Sequence, residues 1–159
     1  MSVDPVAHLR ELSVVAARAA DALADGIREA AAMVQGTLEA GGTLLFCGNG
    51  GSAADAQHMA TEYVVRYQRA RRPLRAIALT TDTSLLTAAA NDFSFDEVFS
   101  RQVLALGRPG DLLILHTTSG NSPNCLRAIE AARQVGVKTL VLTAKDGGRI
   151  RGLADLCLV

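Results

Sequence analysis

Short apolar segments alternate with longer amphipathic stretches along the chain from residue 43 onwards. The apolar segments are four or five residues long and fall at Thr43–Cys47, Ala76–Leu79, Leu112–Leu115, Thr139–Leu142 and Leu156–Val159. Between them, patterns typical of helices cover 52–67, parts of 83–105, and Pro123–Val135. Because short, almost wholly apolar strands that alternate with helices are typical of a parallel sheet covered on both faces, the pattern predicts a three-layer α/β fold.

Residues 1–41 differ from the rest because they are rich in alanine and show only helical periodicity. Apolar side chains recur at steps of three and four residues, which predicts two amphipathic helices. Their apolar positions are Leu9, Leu12, Ala16, Ala19 and Leu23, then Ile27, Ala30, Ala31, Val34 and Leu38. An Asp-Pro pair suits the start of the first helix, and a Gly-Gly pair suits the end of the second. We therefore divide the chain into an N-terminal helical layer, 1–41, which packs on the sheet or on another subunit, and a main domain, 42–159.

Length, charge and cysteine content narrow the class of protein. A chain of 159 residues suits one domain, and an apolar fraction of 49% excludes intrinsic disorder. Sixteen basic and sixteen acidic residues give zero net charge, which disfavours a nucleic-acid binder. No apolar segment approaches the roughly 20 residues of a membrane span, and charged residues interrupt the N-terminus where a signal peptide would be apolar. Cys47, Cys125 and Cys157 lack the pair spacing of a metal site, so we expect reduced thiols in a cytoplasmic protein.

The first candidate site is a glycine-rich loop, Gly-Asn-Gly-Gly-Ser, between the first predicted strand and a helix. Glycine permits a backbone with positive φ and a close approach to a ligand. Ser52 suits the N-cap of that helix, whose first amides would bind an anion. The spacing is not that of a dinucleotide-binding fingerprint, because position 53 is alanine. Taken alone, the loop favours a tight turn without a ligand.

The second candidate site follows the predicted strand Leu112–Leu115 and again precedes a helix. It is rich in hydroxyl groups, which belong to Thr117, Thr118, Ser119 and Ser122. Such groups at a helix N-terminus bind oxyanions, although they also form local capping bonds. Two such loops at the carboxyl ends of parallel strands favour a ligand site, because crevices form at that edge of an open sheet. Neutral donors without a Walker lysine favour a phosphate monoester over a nucleoside triphosphate.

His58 and Glu62 form the third candidate site. They lie four residues apart in the helix predicted over 52–67, so their side chains share one face. An imidazole and a carboxylate at this spacing can bind one divalent metal ion, or act as a base and the group that orients it. The spacing alone favours an exposed hydrogen bond within the helix. Asn91 and Asp92, which follow an alanine-rich helix, indicate by themselves only a turn.

In their order along the chain, these motifs resemble the SIS (sugar isomerase) domain family. The motifs are C-G-N-G-G-S after a strand, D-A-x-H-x-x-x-E, N-D-F-x-F, T-S-G-N-S and K-D-G-G, and the resemblance extends over 5–159. Within the family, the chain is most similar to the phosphoheptose (sedoheptulose 7-phosphate) isomerases. The resemblance implies a five-stranded parallel sheet flanked by helices, of flavodoxin-like type. It also implies a homotetramer in which the N-terminal helices join subunits and the active sites lie between them.

The resemblance implies conversion of sedoheptulose 7-phosphate to D-glycero-D-manno-heptose 7-phosphate, an aldose–ketose isomerisation through an enediolate. It assigns proton transfer to Glu62, and one zinc ion per subunit to His58 and Glu62. The residues that it assigns to the sugar and its phosphate are Asn49, Gly50, Gly51, Ser52, Arg66, Asp92, Thr117, Thr118, Ser119 and Ser122. Such a reaction needs a carboxylate base, an acid, and a cation or hydrogen-bond donor near the developing oxyanion.

The family pattern continues beyond the last strand into a C-terminal helix. A Gln and the final His of that helix complete the zinc site and supply the second acid/base group. The sequence here ends at Val159, so those two ligands have no counterpart in it. The last apolar strand has no covering helix after it, which favours a C-terminally shortened form over a degenerate family member. Whether the 159-residue form is active therefore depends on how it replaces the two missing ligands.

Two other classes of function stay open. A non-catalytic SIS protein would bind a phosphosugar or, like some relatives of the heptose isomerases, a replication-initiator protein; Gly51 and Glu62 favour the enzyme. A sugar-phosphate sensor would carry a DNA-binding module, of which the sequence shows no sign. Five arginines between Arg66 and Arg75 could contact an acidic partner, but a solvated loop that balances the acidic N-terminal layer explains them better.

Overall fold

Five segments pair as a parallel sheet in the computed structural model, which describes residues 4–159. The strands are β1 (Leu44–Gly48), β2 (Ala76–Ala78), β3 (Leu112–Thr117), β4 (Lys138–Thr143) and β5 (Leu156–Leu158), in the spatial order β2-β1-β3-β4-β5. Every residue of β1 and β3 is buried. Because helices cover both faces of the sheet, its inner strands can be apolar throughout.

The helices lie before or between the strands. They are α1 (Pro5–Ala22), α2 (Ala24–Glu39), α3 (Gly51–Val64), α4 (Thr83–Asp92), α5 (Ser100–Leu106) and α6 (Pro123–Val135), with 3-10 turns at Phe95–Glu97 and Arg149–Gly152. The helices α2 and α3 cover one face of the sheet, and α4, α5 and α6 cover the other. The predicted three-layer α/β fold with a five-stranded parallel sheet is therefore confirmed.

Alternate residues of each strand contribute to two separate cores. The core under α2 and α3 contains the strand residues Leu44, Phe46, Leu112, Ile114 and Leu140. The core under α4, α5 and α6 contains the strand residues Leu45, Cys47, Leu113, Leu115 and Val141. This alternation follows from the two-residue period of a strand, in which successive side chains point to opposite faces.

The two N-terminal helices differ in how they pack. Ala30, Met33, Val34 and Leu38 of α2 lie against the sheet core, whereas α1 has no buried residue. The predicted start of α1 is confirmed, since Asp4 accepts a hydrogen bond from the Val6 amide at 3.0 Å. The first three residues of the predicted layer lie outside the described residues. No helix within residues 4–159 is long and apolar enough to cross a membrane.

One arginine of the arginine-rich segment, Arg71, contacts the end of α3. The helix ends at Val64, earlier than the predicted 67, and Arg71 donates hydrogen bonds to the carbonyl oxygens of Glu62 and Tyr63. A cation that pairs with the last carbonyls of a helix stabilises its C-terminus. Arg71 is exposed, as expected for a solvated loop, and it also caps α3.

Candidate functional site

Two loops leave the carboxyl edge of the sheet side by side. In the pairing of β1 with β3, Gly48 lies opposite His116. Residues 49–52, the glycine-rich loop, lead from β1 into α3, and residues 117–122, the hydroxyl loop, lead from the end of β3 into α6. The approach is close, since a Cβ added to Gly48 would overlap the His116 carbonyl oxygen and Ser52. Neighbouring loops at this edge of an α/β sheet form ligand-binding crevices.

The glycine-rich loop turns at Gly50, whose φ of 59° and ψ of −122° suit glycine. Gly50 is the N-cap of α3, and the helix begins at Gly51. The prediction that Ser52 is the N-cap is therefore wrong, because the turn at Gly50 starts the helix earlier. Ser52 lies half-buried in the first turn, and its amide donates to the carbonyl oxygen of Asn49 at 3.0 Å.

Hydroxyl groups both stabilise and line the hydroxyl loop. Thr117 is buried, and its Oγ1 accepts a hydrogen bond from the Gly120 amide at 3.3 Å. Ser119 Oγ accepts one from the Asn121 amide at 3.2 Å. Thr118 and Ser119 are exposed residues, and Ser122 is half-buried. Together with the N-terminus of α6, these groups can bind an oxyanion.

A third loop, 144–148, supports the hydroxyl loop from the side of β4. Gly120 has a φ of 63°, and a Cβ added to it would overlap the Gly147 carbonyl oxygen. Asn121 links the hydroxyl loop to the 3-10 turn that follows the third loop, because its Nδ2 donates within the hydroxyl loop at 2.8 Å while its Oδ1 accepts from the Arg149 amide at 3.0 Å. The sequence indicated no role for Asn121, although the K-D-G-G motif signals a further loop at this edge. The two glycines of this motif permit the close approach of the third loop to the hydroxyl loop.

The side chains of His58 and Glu62 meet on one face of α3, as their spacing predicted. His58 Nε2 lies 3.6 Å from Glu62 Oε1, and the imidazole is 71% exposed while the carboxylate is 25% exposed. Glu62 Oε2 is buried and has no hydrogen-bond partner within residues 4–159. Such an atom is costly in a folded protein unless water, an ion, a ligand or another chain pairs with it, so it marks Glu62 as a candidate ligand-binding group. With Tyr63, Tyr67 and Arg71, the pair borders a cavity of about 420 Å³.

The donor types of His58 and Glu62 fit a zinc ion, since imidazole nitrogen and carboxylate oxygen are common zinc ligands. Two ligands, however, are too few to complete a zinc site. The described part of the chain contains no group of three or more His, Cys, Asp or Glu side chains placed to hold a metal ion. A catalytic zinc site normally has three protein ligands.

Arg66 and Asp92 lie on other segments than the two loops. Arg66 is exposed in the segment after α3, and Asp92 is exposed at the end of α4, where its carboxylate accepts a hydrogen bond from Asn91 Nδ2 at 2.9 Å. Within residues 4–159, neither side chain forms a hydrogen bond or ion pair with the glycine-rich loop or the hydroxyl loop. The structure therefore brings together the two loops, and separately His58 with Glu62.

His116, for which the sequence indicated no role, is buried at the end of β3. Its ring centroid lies 6.2 Å from that of Phe46, and its Nδ1 has no hydrogen-bond partner within the described residues. Burial lowers the pKa of His116 from its ordinary 6.5, although the Asp55 carboxylate and the Ser52 carbonyl act in the opposite direction. The folded protein therefore favours the neutral imidazole.

Acidification is expected to destabilise the folded protein through His116. Because the pKa of His116 is lower in the folded than in the unfolded chain, the unfolded state binds more protons below about pH 6.5. The His116 contribution to the free energy of unfolding should be complete above about pH 6.5 and decrease as the pH falls through the folded-state pKa. Denaturant unfolding of wild type and His116→Gln at about pH 7.5 and about pH 5.5 measures the effect. A smaller loss in the variant is expected, and equal losses would contradict the assignment.

Comparison with known sequences identifies the family. The SIS domain family model matches residues 7–144. Phosphoheptose isomerase of Rhodospirillum rubrum is 57% identical over 135 residues, which cover 85% of this chain and 72% of that protein. Phosphoheptose isomerase of Chlorobaculum parvum is 58% identical over 137 residues, covering 85% of this chain and 66% of that protein. Phosphoheptose isomerase of Nitratidesulfovibrio vulgaris Hildenborough is 57% identical over 137 residues, which cover 86% of this chain and 64% of that protein. The chain thus spans about two thirds of the length of these relatives.

Solved structures agree with this relationship. A phosphoheptose isomerase from Neisseria gonorrhoeae superposes with a TM-score of 0.89 at 44% identity, covering 96% of this chain and 81% of that one. A phosphoheptose isomerase from Francisella tularensis superposes with a TM-score of 0.86 at 34% identity, covering 98% of this chain and 85% of that one. Fold and sequence therefore indicate the same family.

Proposed function

Because this chain belongs to the SIS domain family and, within it, to the phosphoheptose isomerases, we propose that it interconverts sedoheptulose 7-phosphate and D-glycero-D-manno-heptose 7-phosphate. The observation that carries the proposal is the buried Oε2 of Glu62, which has no hydrogen-bond partner among residues 4–159 and lies on the helix that the glycine-rich loop begins. Aldose–ketose isomerisation requires such a carboxylate base together with an anchor for the phosphate. The family relationship and the site chemistry thus support the same reaction.

The hydroxyl loop is the proposed phosphate anchor. Thr118 and Ser119 are exposed residues just before α6, at whose N-terminus backbone amides and the helix dipole favour an anion. Neutral donors suit a phosphate ester that must be bound and then released. In the same proposal, the glycine-rich loop contacts the sugar through its amides and through the hydroxyl of Ser52.

Glu62 is the proposed base. Starting from the ketose, its carboxylate removes a proton from C1, the C1–H electron pair forms a C1–C2 double bond, and negative charge develops on O2. Return of the proton to C2 and transfer of the O1 proton to O2 yield the aldose. His58 lies 3.6 Å from Oε1 and is proposed to orient the carboxylate.

We also propose that His58 and Glu62 are two ligands of one zinc ion per subunit. When bound, zinc polarises a substrate carbonyl and stabilises charge on oxygen. The donor types and the proximity of His58 Nε2 to Glu62 Oε1, at 3.6 Å, support this proposal. The remaining ligands must come from outside residues 4–159 or from a neighbouring subunit. Elemental analysis of dialysed wild type and His58→Ala tests the assignment, which requires less zinc in the variant.

The proposed reaction is tested by incubating zinc-supplied protein with sedoheptulose 7-phosphate and quantifying heptose 7-phosphate. Formation of the aldose is the expected result. Binding of the sugar phosphate without conversion would contradict the isomerase and favour a non-catalytic phosphosugar-binding SIS protein. The readouts separate the two because binding needs only the loops, whereas conversion also needs Glu62.

A homotetramer joined through the N-terminal helices is the proposed assembly. Leu9 and Leu12 of α1 are 67% and 62% exposed, and Val6 and Val15 on the same helix are also exposed. In proteins, most of the stability of a helix comes from packing of its apolar face. A second copy of the chain is the proposed source of that packing.

Charges on the apolar face of α1 are expected to break this assembly. Light scattering of the wild type should give about four times the 16.7 kDa chain mass, and Leu9→Glu/Leu12→Glu should give a smaller particle, because buried carboxylates without partners oppose association. Arg10→Glu, on the neighbouring polar face, is the control and should retain the wild-type mass. A wild-type mass of 16.7 kDa would contradict the proposed tetramer.

A cytoplasmic location is also proposed. All three cysteines are free, and Cys47 and Cys125 are buried. Burial raises the pKa of Cys125 to about 11 and raises that of Cys47 as well. Thiols of this kind are unreactive and compatible with a reducing compartment.

A further inference from the structure

A reciprocal pair of hydrogen bonds joins the glycine-rich loop to α6. Asn49 Nδ2 donates to Asn124 Oδ1 at 2.9 Å, and Asn124 Nδ2 donates to Asn49 Oδ1 at 2.8 Å. The two residues are 75 positions apart in the sequence, and Asn124 is only 1% exposed. Each side chain thus donates to and accepts from the other.

The residues around Asn49 and Asn124 offer only weak alternative hydrogen-bond partners. Asn49 Nδ2 also lies 3.9 Å from the Sγ of Cys125, which is fully buried. A thiol is a poor hydrogen-bond acceptor compared with an amide oxygen. An asparagine that lost its partner here would retain an unsatisfied polar group, so the two side chains are held in one arrangement.

The pair links the starts of two helices. Asn49 lies two residues before the first residue of α3, and Asn124 is the second residue of α6. The amides at both helix N-termini belong to the loops at the carboxyl edge of the sheet. A rigid link between Asn49 and Asn124 therefore sets the separation of the glycine-rich loop from the hydroxyl loop.

We propose that Asn124 is a positioning residue that holds the two loops at the separation a sugar phosphate needs to contact both. The inference rests on the proposed function, in which the hydroxyl loop binds the phosphate and the glycine-rich loop binds the sugar. Asn124 acts through Asn49 and has no contact with the substrate. Its loss should weaken the binding of a ligand that spans both loops, but not of an ion that occupies the hydroxyl loop alone.

The test compares sedoheptulose 7-phosphate with inorganic phosphate as probes, by calorimetry, on wild type and Asn124→Leu. Leucine is similar to asparagine in shape, adds no charge beside the N-terminus of α6, and forms no hydrogen bond with Asn49. We expect the Kd of the sugar phosphate to rise about tenfold or more, and that of inorganic phosphate to change by less than about threefold. In turnover, KM should rise more than kcat falls.

A double variant keeps the test valid if Asn124→Leu folds poorly. Asn49→Ala/Asn124→Ala removes both partners and leaves no unpaired amide. Because the two side chains act as one unit, the loss of binding free energy for the sugar phosphate in the double variant should be smaller than the sum of the losses in Asn49→Ala and Asn124→Ala. Ile129→Val, which changes a buried residue of α6 away from the pair, is the stability control and should alter neither Kd.

Three results would overturn the inference. Equal weakening of both probes would show that the pair only supports the fold, an unchanged Kd for the sugar phosphate would show that the loops do not need it, and a wild type that binds no sugar phosphate would remove its premise. A wild type that binds the sugar phosphate without converting it would refute the proposed reaction instead. The Kd comparison would then still decide the role of Asn124.

Discussion

Glu62→Gln is expected to lower kcat for sedoheptulose 7-phosphate by about 10²- to 10⁴-fold, the usual contribution of a positioned acid–base group. Glutamine has the shape of glutamate but cannot take up a proton from carbon. The reactive atom in this account is Oε2, which is buried without a partner within residues 4–159. Binding of the sugar phosphate should persist, because the hydroxyl loop lies on a different segment. Steady-state kinetics and calorimetry on the same preparation measure both effects.

Glu130→Gln is the matched control for this substitution. Glu130 is exposed on α6 and pairs with Arg127 at 3.2 Å, and such surface pairs contribute little to stability. Turnover should be unchanged in this variant. Undiminished turnover in Glu62→Gln would refute its role as the base, and zinc content measured alongside shows whether the proposed metal is retained.

Gly120→Ala is expected to disrupt the hydroxyl loop. The φ of 63° at this position costs about 1–2 kcal/mol for a residue with a Cβ. The added Cβ would also overlap the Gly147 carbonyl oxygen, so one of the two loops must move. A displacement of about 1 Å at a substrate-positioning loop can reduce activity about 10²-fold. We expect such a loss in kcat/KM, together with weaker binding of inorganic phosphate.

Gly152→Ala is the control for a glycine substitution. Gly152 has no atom within 4 Å of the position of an added Cβ, and its φ is not in the left-handed region. Phosphate binding should be unchanged in this variant. Wild-type affinity for phosphate in Gly120→Ala would show that the hydroxyl loop is not the phosphate anchor.

The strands could be predicted because their residues are apolar without interruption. The limit of that signal is visible in β3, which was predicted to end at Leu115 but continues to Thr117. The polar residues His116 and Thr117 interrupt the apolar pattern, yet they still pair with β4 in parallel register. Local composition could not show that pairing, because it depends on a neighbouring strand more than twenty residues away.

The site could be predicted only as separate loops. Order and spacing of the motifs indicated the glycine-rich loop, the hydroxyl loop and the pair of His58 and Glu62. The contacts that hold the loops in place join distant residues, such as Asn49 with Asn124 and Asn121 with the Arg149 amide. Asparagines in loops commonly form local turns, so their long-range roles were not visible without the tertiary structure.

Isomerisation in heavy water tests the central claim most directly. If Glu62 removes a proton from C1 and returns one to C2, exchange on the carboxylate should place solvent deuterium at C2 of the heptose 7-phosphate, which NMR detects. We predict conversion with deuterium at that carbon, and neither conversion nor incorporation in Glu62→Gln. Bound sedoheptulose 7-phosphate that is never converted by the wild type, or continued conversion with deuterium at C2 in Glu62→Gln, would contradict the account.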